Sequence, residues 1–117
     1  MRQKTTIYHN PQCSKSRATM ELLIERGEPL NIVQYLNTPP DRKTLERVLR
    51  LLNLEPRELM RQGETIYKQL NLADDSLSRE ELMRAMLTHP ILIERPIVIK
   101  NGKAAIGRPL EAVINIL

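Results

Sequence analysis

Residues 5–17 read TTIYHNPQCSKSR. Residues 5–8 are rich in β-branched and aromatic side chains and stop at the breaker His9-Asn10-Pro11, a pattern typical of a strand followed by a turn. Apolar residues then recur at helical spacing in residues 20–24. Cys13 is therefore predicted to lie in the turn between a strand and the start of a helix.

A second strand is predicted soon after this helix. Gly27 is a typical C-terminal stop for a helix. Residues 30–35 alternate as a strand does, with an apolar centre at Ile32 and Val33. Strand, helix and strand within about thirty residues form a βαβ unit. The two strands are therefore predicted to be parallel.

The middle of the chain is predicted to be helical. The loop at residues 38–41 ends on Asp41, a good N-cap, and apolar residues follow it at helical spacing. Glu55-Pro56 is predicted to open a short helix, and Ser-Arg-Glu-Glu at residues 78–81 forms a capping box ahead of a further helix. We therefore predict a helical insertion at about residues 41–88, between the two halves of a sheet.

The last third of the chain has the pattern of a hairpin and a helix. Residues 97–99 and 104–106 are β-rich and flank Asn101-Gly102, the strongest short signal for a hairpin turn. Pro109 is predicted to begin a final helix that runs through Leu110, Val113, Ile114 and Leu117. The order βαβ, helices, β-hairpin and helix predicts an α/β protein with a mixed sheet and a thioredoxin-like fold, in a single domain that spans residues 1–117.

The composition indicates an aliphatic core and a cytoplasmic protein. The 117 residues include three tyrosines, no Phe or Trp, and a net charge of +4. The basic residues are interleaved with acidic ones, and the aromatic side chains on which single-stranded nucleic acids stack are scarce, so no nucleic-acid partner is expected. No apolar run is long enough to span a bilayer, and residues 1–6 are too polar for a signal peptide. A lone cysteine is typical of a reducing compartment, so we expect a cytoplasmic location and no membrane partner.

Cys13 has the features of a reactive thiol. A helix N-terminus offers free N–H groups and a partial positive charge, which stabilise a thiolate and can hold an anion. Ser14 and Ser16 add hydroxyl donors, and Lys15 and Arg17 add positive charge. A lone cysteine is more often a small buried hydrophobe, but these surroundings are polar, turn-forming and basic. We therefore predict that Cys13 is a nucleophile beside an oxyanion site.

Two neighbours of Cys13 limit the chemistry. His9 is either a base or positive partner that lowers the pKa of the thiol, or a residue that caps the strand or binds the loop backbone. Ser16 occupies the place of the second cysteine in a Cys-x-x-Cys motif, so any redox cycle at Cys13 must finish on an external thiol. No Cys/His cluster has the spacing of a metal site, and no metal is expected.

Five motifs occur in order along the chain. They are His-Asn-Pro-x-Cys-x-x-Ser-Arg at 9–17, Tyr-Leu-x-Thr-Pro-Pro at 35–40, Leu-Met-Arg at 59–61 with Tyr67 after it, His-Pro-Ile-Leu-Ile-Glu-Arg-Pro-Ile-Val at 89–98, and Gly-Arg-Pro at 107–109. In this order and spacing the chain closely resembles the glutaredoxin-coupled arsenate reductases of bacteria. The resemblance runs nearly end to end and supports the thioredoxin-like fold.

The resemblance implies a set of site residues and a reaction. The catalytic cysteine of that family falls on Cys13, and its three oxyanion-binding arginines fall on Arg61, Arg95 and Arg108. Guanidinium forks match tetrahedral oxyanions in a way that lysine does not. The implied reaction is attack of the cysteine on arsenate, attack of glutathione as co-substrate, and removal of glutathione by glutaredoxin to release arsenite, with no bound cofactor. The supporting residues are His9, Asn10, Ser14, Ser16 and Arg17.

The resemblance also implies a cis peptide bond. Thioredoxin-like folds typically carry a cis proline ahead of the third strand, facing the active cysteine, and Arg95-Pro96 precedes that strand here. We therefore predict a cis bond at Pro96, which is rare even before proline.

Two other functions stay open at this point. One is a glutathione-dependent thiol–disulfide reductase, in which the arginines would bind glutathione carboxylates. The other is a redox regulator related to the thioredoxin-like proteins that bind RNA polymerase, because fold alone does not decide function. Such sensors typically carry a Cys-x-x-Cys switch, which Ser16 removes here, and the presence of all three arginines favours catalysis.

Overall fold

The computed structural model describes residues 4–117. Residues 1–3, which belong to the predicted domain and to the polar stretch at residues 1–6, lie outside the described residues. The strands are β1 (Thr5–Tyr8), β2 (Leu30–Val33), β3 (Ile97–Lys100) and β4 (Lys103–Ile106). The helices are α1 (Ser14–Glu25), α2 (Arg42–Leu52), α3 (Thr65–Gln69), α4 (Arg79–Thr88) and α5 (Glu111–Ile114), with short 3₁₀ helices at Pro56–Leu59 and Pro90–Leu92.

The strands form one mixed sheet in the order β2-β1-β3-β4. β1 and β2 run parallel, with Ile7 opposite Ile32, and confirm the predicted βαβ unit. β3 runs antiparallel to both β1 and β4. The hairpin turn between β3 and β4 is Asn101-Gly102, and both residues have the positive φ angles that this turn requires, 51° and 75°. The predicted α/β class with a mixed sheet is confirmed.

The chain divides into two compact units. The first contains the residues up to Thr38 together with Arg95–Leu117, and therefore holds all of the strands, α1 and α5. Its central cluster of buried side chains is aliphatic, and burial of each large aliphatic side chain stabilises the fold by about 1.5–3 kcal/mol. Side chains from three strands and two helices form this cluster, so α1 and α5 both pack against the sheet. They are Ile7 of β1, Leu23 of α1, Val98 of β3, Ala105 of β4 and Val113 of α5.

The second unit spans Pro39–Glu94 and is helical. The predicted N-cap is present, because the Thr44 N–H donates to Asp41 Oδ1 at 2.8 Å ahead of α2. Ser78 and Glu81 form the predicted capping box at the start of α4. The largest fully buried side chains of this unit are again aliphatic or methionine: Leu45, Leu49, Leu59, Met83, Met86 and Leu92.

Three details differ from the sequence prediction. α3 lies within the predicted helical insertion but is not predicted as a separate helix, because five residues are too few to show a helical period. The predicted helix from Pro109 is shorter than expected, since its α-helical part is confined to Glu111–Ile114. The core is not wholly aliphatic, because Tyr35 and Tyr67 are 1% and 7% exposed.

None of the helices within residues 4–117 is long and apolar enough to cross a membrane.

Candidate active site

Cys13 lies directly before α1, where the sequence predicts it. It is the N-cap residue of this helix of twelve residues. Its carbonyl oxygen accepts a hydrogen bond from the Arg17 N–H at 3.0 Å, and its own N–H donates to the Asn10 carbonyl oxygen at 3.0 Å. The thiol is free, and the residue is 9% exposed. The sulfur is thus held at the N-terminus of the helix by a closed turn.

The surroundings of Cys13 favour the thiolate. Burial alone would raise the pKa of the Cys13 thiol, but hydrogen bonds from the backbone N–H groups of Ser16 and Lys15 lower it. The positive charges of Arg95 and Arg108 lower it further, and the net pKa lies below its ordinary value. A thiolate, and not a thiol, is the nucleophilic form of cysteine.

Arg95 and Arg108 lie together at the Cys13 end of the sheet. Arg108 donates from Nη2 to Cys13 Sγ at 3.5 Å and from Nε to the Arg95 carbonyl oxygen at 2.9 Å. The peptide bonds Arg95-Pro96 and Arg108-Pro109 are both cis. The cis bond at Pro96 is therefore confirmed, whereas the one at Pro109 has no counterpart in the prediction.

Gly107, next to Arg108, allows the side chains of Thr19 and Pro96 to lie close to the backbone. A Cβ atom at this position would lie 2.6 Å from Thr19 Oγ1 and 2.7 Å from Pro96 Cγ, well inside ordinary contact distances. The Gly107 N–H donates to the Pro96 carbonyl oxygen at 2.9 Å. The Gly-Arg-Pro motif contains this glycine, but its packing role becomes visible only when the contacts of α1 with the end of β4 are known.

His9 and Ser16 share a buried hydrogen bond. His9 Nδ1 lies 2.5 Å from Ser16 Oγ, and the Asn10 N–H donates to the same oxygen at 3.0 Å. His9 is 8% exposed and Ser16 is fully buried. Burial lowers the pKa of His9, and the positive charge of Arg17 lowers it further. Of the roles that the sequence leaves open for His9, these contacts favour hydrogen bonding over that of a positive partner.

The other predicted supporting residues shape the turn ahead of the helix. Asn10 Oδ1 accepts a hydrogen bond from the Gln12 N–H at 3.0 Å. Arg17 donates from Nη1 to the Pro11 carbonyl oxygen at 2.9 Å. Ser14 is the first residue of α1 and is exposed. Asn10 and Arg17 therefore brace the turn that carries Cys13.

Arg61 lies in the second unit, between the first 3₁₀ helix and α3. Its Nε lies 3.0 Å from Glu64 Oε1, and its Nη1 lies 3.5 Å from Glu94 Oε1. Its backbone N–H donates to the Leu92 carbonyl oxygen at 2.7 Å. Two carboxylates thus hold the guanidinium, and its role as an oxyanion ligand stays a prediction.

The chemistry that this arrangement can perform is that of an activated thiolate. The described residues, 4–117, contain no group of three or more His, Cys, Asp or Glu side chains that could hold a metal ion. Cys13 can attack an electrophile, and the Arg108 guanidinium beside it can stabilise negative charge on an oxygen of that electrophile.

Known proteins resemble the chain over almost its whole length. The profile of the ArsC family matches residues 8–116. A Neisseria meningitidis serogroup A protein named arsenate reductase is 49% identical over 112 residues, which cover 95% of this chain and 96% of the relative. An Escherichia coli K12 protein named "Uncharacterized protein YfgD" is 55% identical over 118 residues, which cover 100% of this chain and 99% of the relative. A solved structure described as an arsenate reductase from Vibrio cholerae has a TM-score of 0.96 at 48% identity, with all of both chains covered.

Proposed function

The chain belongs to the ArsC family, and we propose that it reduces arsenate to arsenite with Cys13 as the nucleophile. Relatives named arsenate reductase at 49% and 48% identity support this substrate. The observation that carries the proposal is the contact of 3.5 Å between Arg108 Nη2 and Cys13 Sγ, at a thiol whose pKa is lowered. A thiolate beside a guanidinium fork suits attack on a tetrahedral oxyanion.

The proposed first step is attack of the Cys13 thiolate on arsenic(V). A sulfur–arsenic bond forms, and one arsenate oxygen leaves as water after taking up protons. The guanidinium groups of Arg108 and Arg95 stabilise the negative charge of the remaining oxygens, and Arg61 is proposed as a third ligand. Donors that are already oriented toward developing charge usually supply the largest single part of such catalysis.

The proposed reductant is external glutathione, and glutaredoxin completes the cycle. Cys13 is the single cysteine of the chain and Ser16 occupies the resolving position, so no internal thiol can regenerate Cys13. Over one cycle two external thiols are oxidised to one disulfide, arsenic gains two electrons, and arsenite leaves. Glutathione therefore acts as a co-substrate and not as a bound cofactor.

A coupled assay tests this function. The assay follows NADPH oxidation in the presence of arsenate, glutathione, glutathione reductase and glutaredoxin. The wild-type protein is expected to give arsenate-dependent oxidation that Cys13→Ser abolishes, and omission of glutaredoxin is expected to slow it strongly. Far-UV circular dichroism shows whether the variant is folded. Arsenate-dependent turnover that survives in a folded Cys13→Ser protein would overturn the proposal.

A glutathione-dependent thiol–disulfide reductase is the second candidate. The lowered pKa of Cys13 favours it, because the thiolate is the form of cysteine that attacks a disulfide sulfur. The same coupled assay distinguishes the two when a mixed disulfide of glutathione replaces arsenate and glutaredoxin, which reduces such disulfides itself, is left out. Turnover with the disulfide and none with arsenate would move the assignment to disulfide reduction.

A further inference from the structure

Gly107 lies where the end of β4 meets α1 and the segment before β3. It is buried and directly follows Ile106, the last residue of β4. Its N–H donates to the Pro96 carbonyl oxygen at 2.9 Å. Thr19 Oγ1 and Pro96 Cγ would lie only 2.6 and 2.7 Å from a Cβ atom here. The space that a side chain would need at position 107 is therefore already occupied.

The elements that meet at Gly107 also carry the candidate active site. Thr19 lies in α1, whose N-cap is Cys13. Arg108, the next residue after Gly107, donates from Nη2 to Cys13 Sγ at 3.5 Å. Its Nε donates to the Arg95 carbonyl oxygen at 2.9 Å. The close packing at Gly107 and the contact of the guanidinium with the sulfur therefore join the same parts of the chain.

A side chain at position 107 would displace the segment after β4 more easily than its neighbours. Thr19 is fully buried, its branched side chain has little rotational freedom, and its hydroxyl is hydrogen-bonded within α1. Pro96 Cγ belongs to a closed ring that cannot rotate away from the contact. Residues 107–109 belong to no helix or strand, and Arg108 is exposed. An added side chain would therefore push this segment outward, and the guanidinium would move with it.

We propose that Gly107 is a positioning residue for Arg108. Because Gly107 has no side chain, the segment after β4 lies close to α1, and the Arg108 guanidinium reaches the sulfur of Cys13. The guanidinium is thus held by the packing behind it as well as by its hydrogen bond to the Arg95 carbonyl oxygen. Gly107 has no side chain with which to contact the substrate and acts through Arg108.

The fraction of Cys13 that is thiolate reports the position of this guanidinium. Burial raises the pKa of the Cys13 thiol, whereas the backbone N–H groups of Ser16 and Lys15 and the charges of Arg95 and Arg108 lower it. The attraction between a thiolate and a guanidinium weakens with distance and with exposure to water. An outward shift of Arg108 would therefore raise the pKa of the thiol.

The rate of alkylation by iodoacetamide as a function of pH measures the thiolate directly and needs no arsenate. The inference rests on the proposed role of Cys13 as nucleophile, but this readout does not depend on the substrate. The variants are Gly107→Ala, Arg108→Ala and the double variant that combines them. Gly63→Ala is the matched control, because a Cβ at Gly63 meets nothing within 4 Å.

Arg108→Ala is expected to react about tenfold more slowly than the wild type below neutral pH, which corresponds to the loss of one hydrogen bond to a charged group. Gly107→Ala is expected to be slower than the wild type by about three- to tenfold and to have a pH profile shifted upward, because a displaced guanidinium loses part or all of that contact. Gly63→Ala should keep the wild-type profile. The double variant is expected to be no slower than Arg108→Ala alone, because Gly107 acts through a guanidinium that is then absent.

A second pair of variants tests the same contact from the side of α1. Thr19→Val and Thr19→Ala both remove the hydroxyl and its hydrogen bond, but only valine places a methyl group against Gly107. Thr19→Val is therefore expected to react more slowly than Thr19→Ala. This comparison decides the question even if Gly107→Ala does not fold, which far-UV circular dichroism shows.

Three results would overturn the inference. The first is a folded Gly107→Ala protein with the wild-type alkylation profile. The second is slowing by Gly107→Ala of the same size with and without the Arg108 side chain. The third is equal alkylation of folded Thr19→Val and Thr19→Ala. Absence of arsenate turnover in a wild-type protein, with the expected alkylation pattern intact, would instead contradict the proposed substrate and leave this inference standing.

Discussion

Arg108 donates from Nη2 to the sulfur of Cys13 at 3.5 Å, although the two residues are 95 positions apart in the sequence. The sheet brings them together, because the β3–β4 hairpin pairs with β1 and Cys13 follows the end of β1. The guanidinium therefore lies beside the thiolate before any substrate arrives. In the proposed reaction this guanidinium donates to the arsenate oxygens as the sulfur attacks.

Arg108→Lys is expected to lower kcat/KM for arsenate by about 100-fold, because lysine keeps the charge but loses the planar fork of donors. The coupled assay at varied arsenate concentration measures this loss. Arg26→Lys is the matched control, since Arg26 is the C-cap of α1 and Cys13 its N-cap. Equal activities of the two variants would show that the guanidinium beside Cys13 takes no part in turnover.

Gly107→Ala is expected to lower the free energy of unfolding by about 1–3 kcal/mol, the usual cost of overpacking. The new methyl group would lie 2.6 Å from Thr19 Oγ1 and 2.7 Å from Pro96 Cγ. Urea unfolding measures the change. Gly63→Ala serves as the control, because a Cβ there meets nothing within 4 Å. Equal stability of the two alanine variants would show that Gly107 is not closely packed against Thr19 and Pro96.

Lys100→Met is expected to destabilise the protein by about 3 kcal/mol, because it leaves the buried carboxylate of Glu28 without its cation. Nζ of Lys100 lies 2.5 Å from Glu28 Oε1, and the two side chains are 15% and 4% exposed. Urea unfolding again gives the change in free energy. Arg42→Met breaks an ion pair with Glu80 in which both side chains are about half exposed, and it is expected to cost far less. Similar losses in the two variants would contradict the account of the buried pair.

His9 is expected to make the protein less stable in mild acid. Burial lowers the pKa of His9 in the folded state, so the unfolded chain binds the proton first as the pH falls. The stability associated with the neutral ring is complete above the unfolded pKa of about 6.5 and is lost progressively below it.

Urea unfolding of the wild type and of His9→Asn over a range of pH values isolates this contribution. The wild type is expected to lose more stability than His9→Asn as the pH falls below the ordinary pKa of histidine, and the gap between them should be constant above it. A gap that does not change with pH would mean that His9 titrates alike in the folded and unfolded chains.

Much of the fold is predictable because its signals are local. Asn101-Gly102 requires a turn with positive φ angles, and Asp41 supplies a cap wherever a helix follows it. The order of these elements then leaves few topologies for the sheet. α3 at Thr65–Gln69 escapes such prediction, because its few residues carry no readable period and tertiary packing decides their conformation.

The candidate site also combines features that local sequence predicts with features that depend on tertiary packing. The position of Cys13 before a helix follows from residues next to it in the chain. The contact with Arg108 and the close packing of Gly107 against Pro96 depend on strands that are distant in sequence, so only the sheet order reveals them. The hydrogen bond between His9 and Ser16 depends on side-chain geometry that neither residue type dictates.

The most direct test of the account is to measure the arsenic species that the protein produces. Arsenate is incubated with glutathione, glutaredoxin and either the wild-type protein or Cys13→Ser, and arsenite is then separated from arsenate and quantified. The account predicts arsenite in many-fold excess over the wild-type enzyme, and no more than the protein-free background with Cys13→Ser. Arsenite formation at the same rate by a folded Cys13→Ser protein, or none above background from a folded wild-type protein with a reactive thiol, would contradict it.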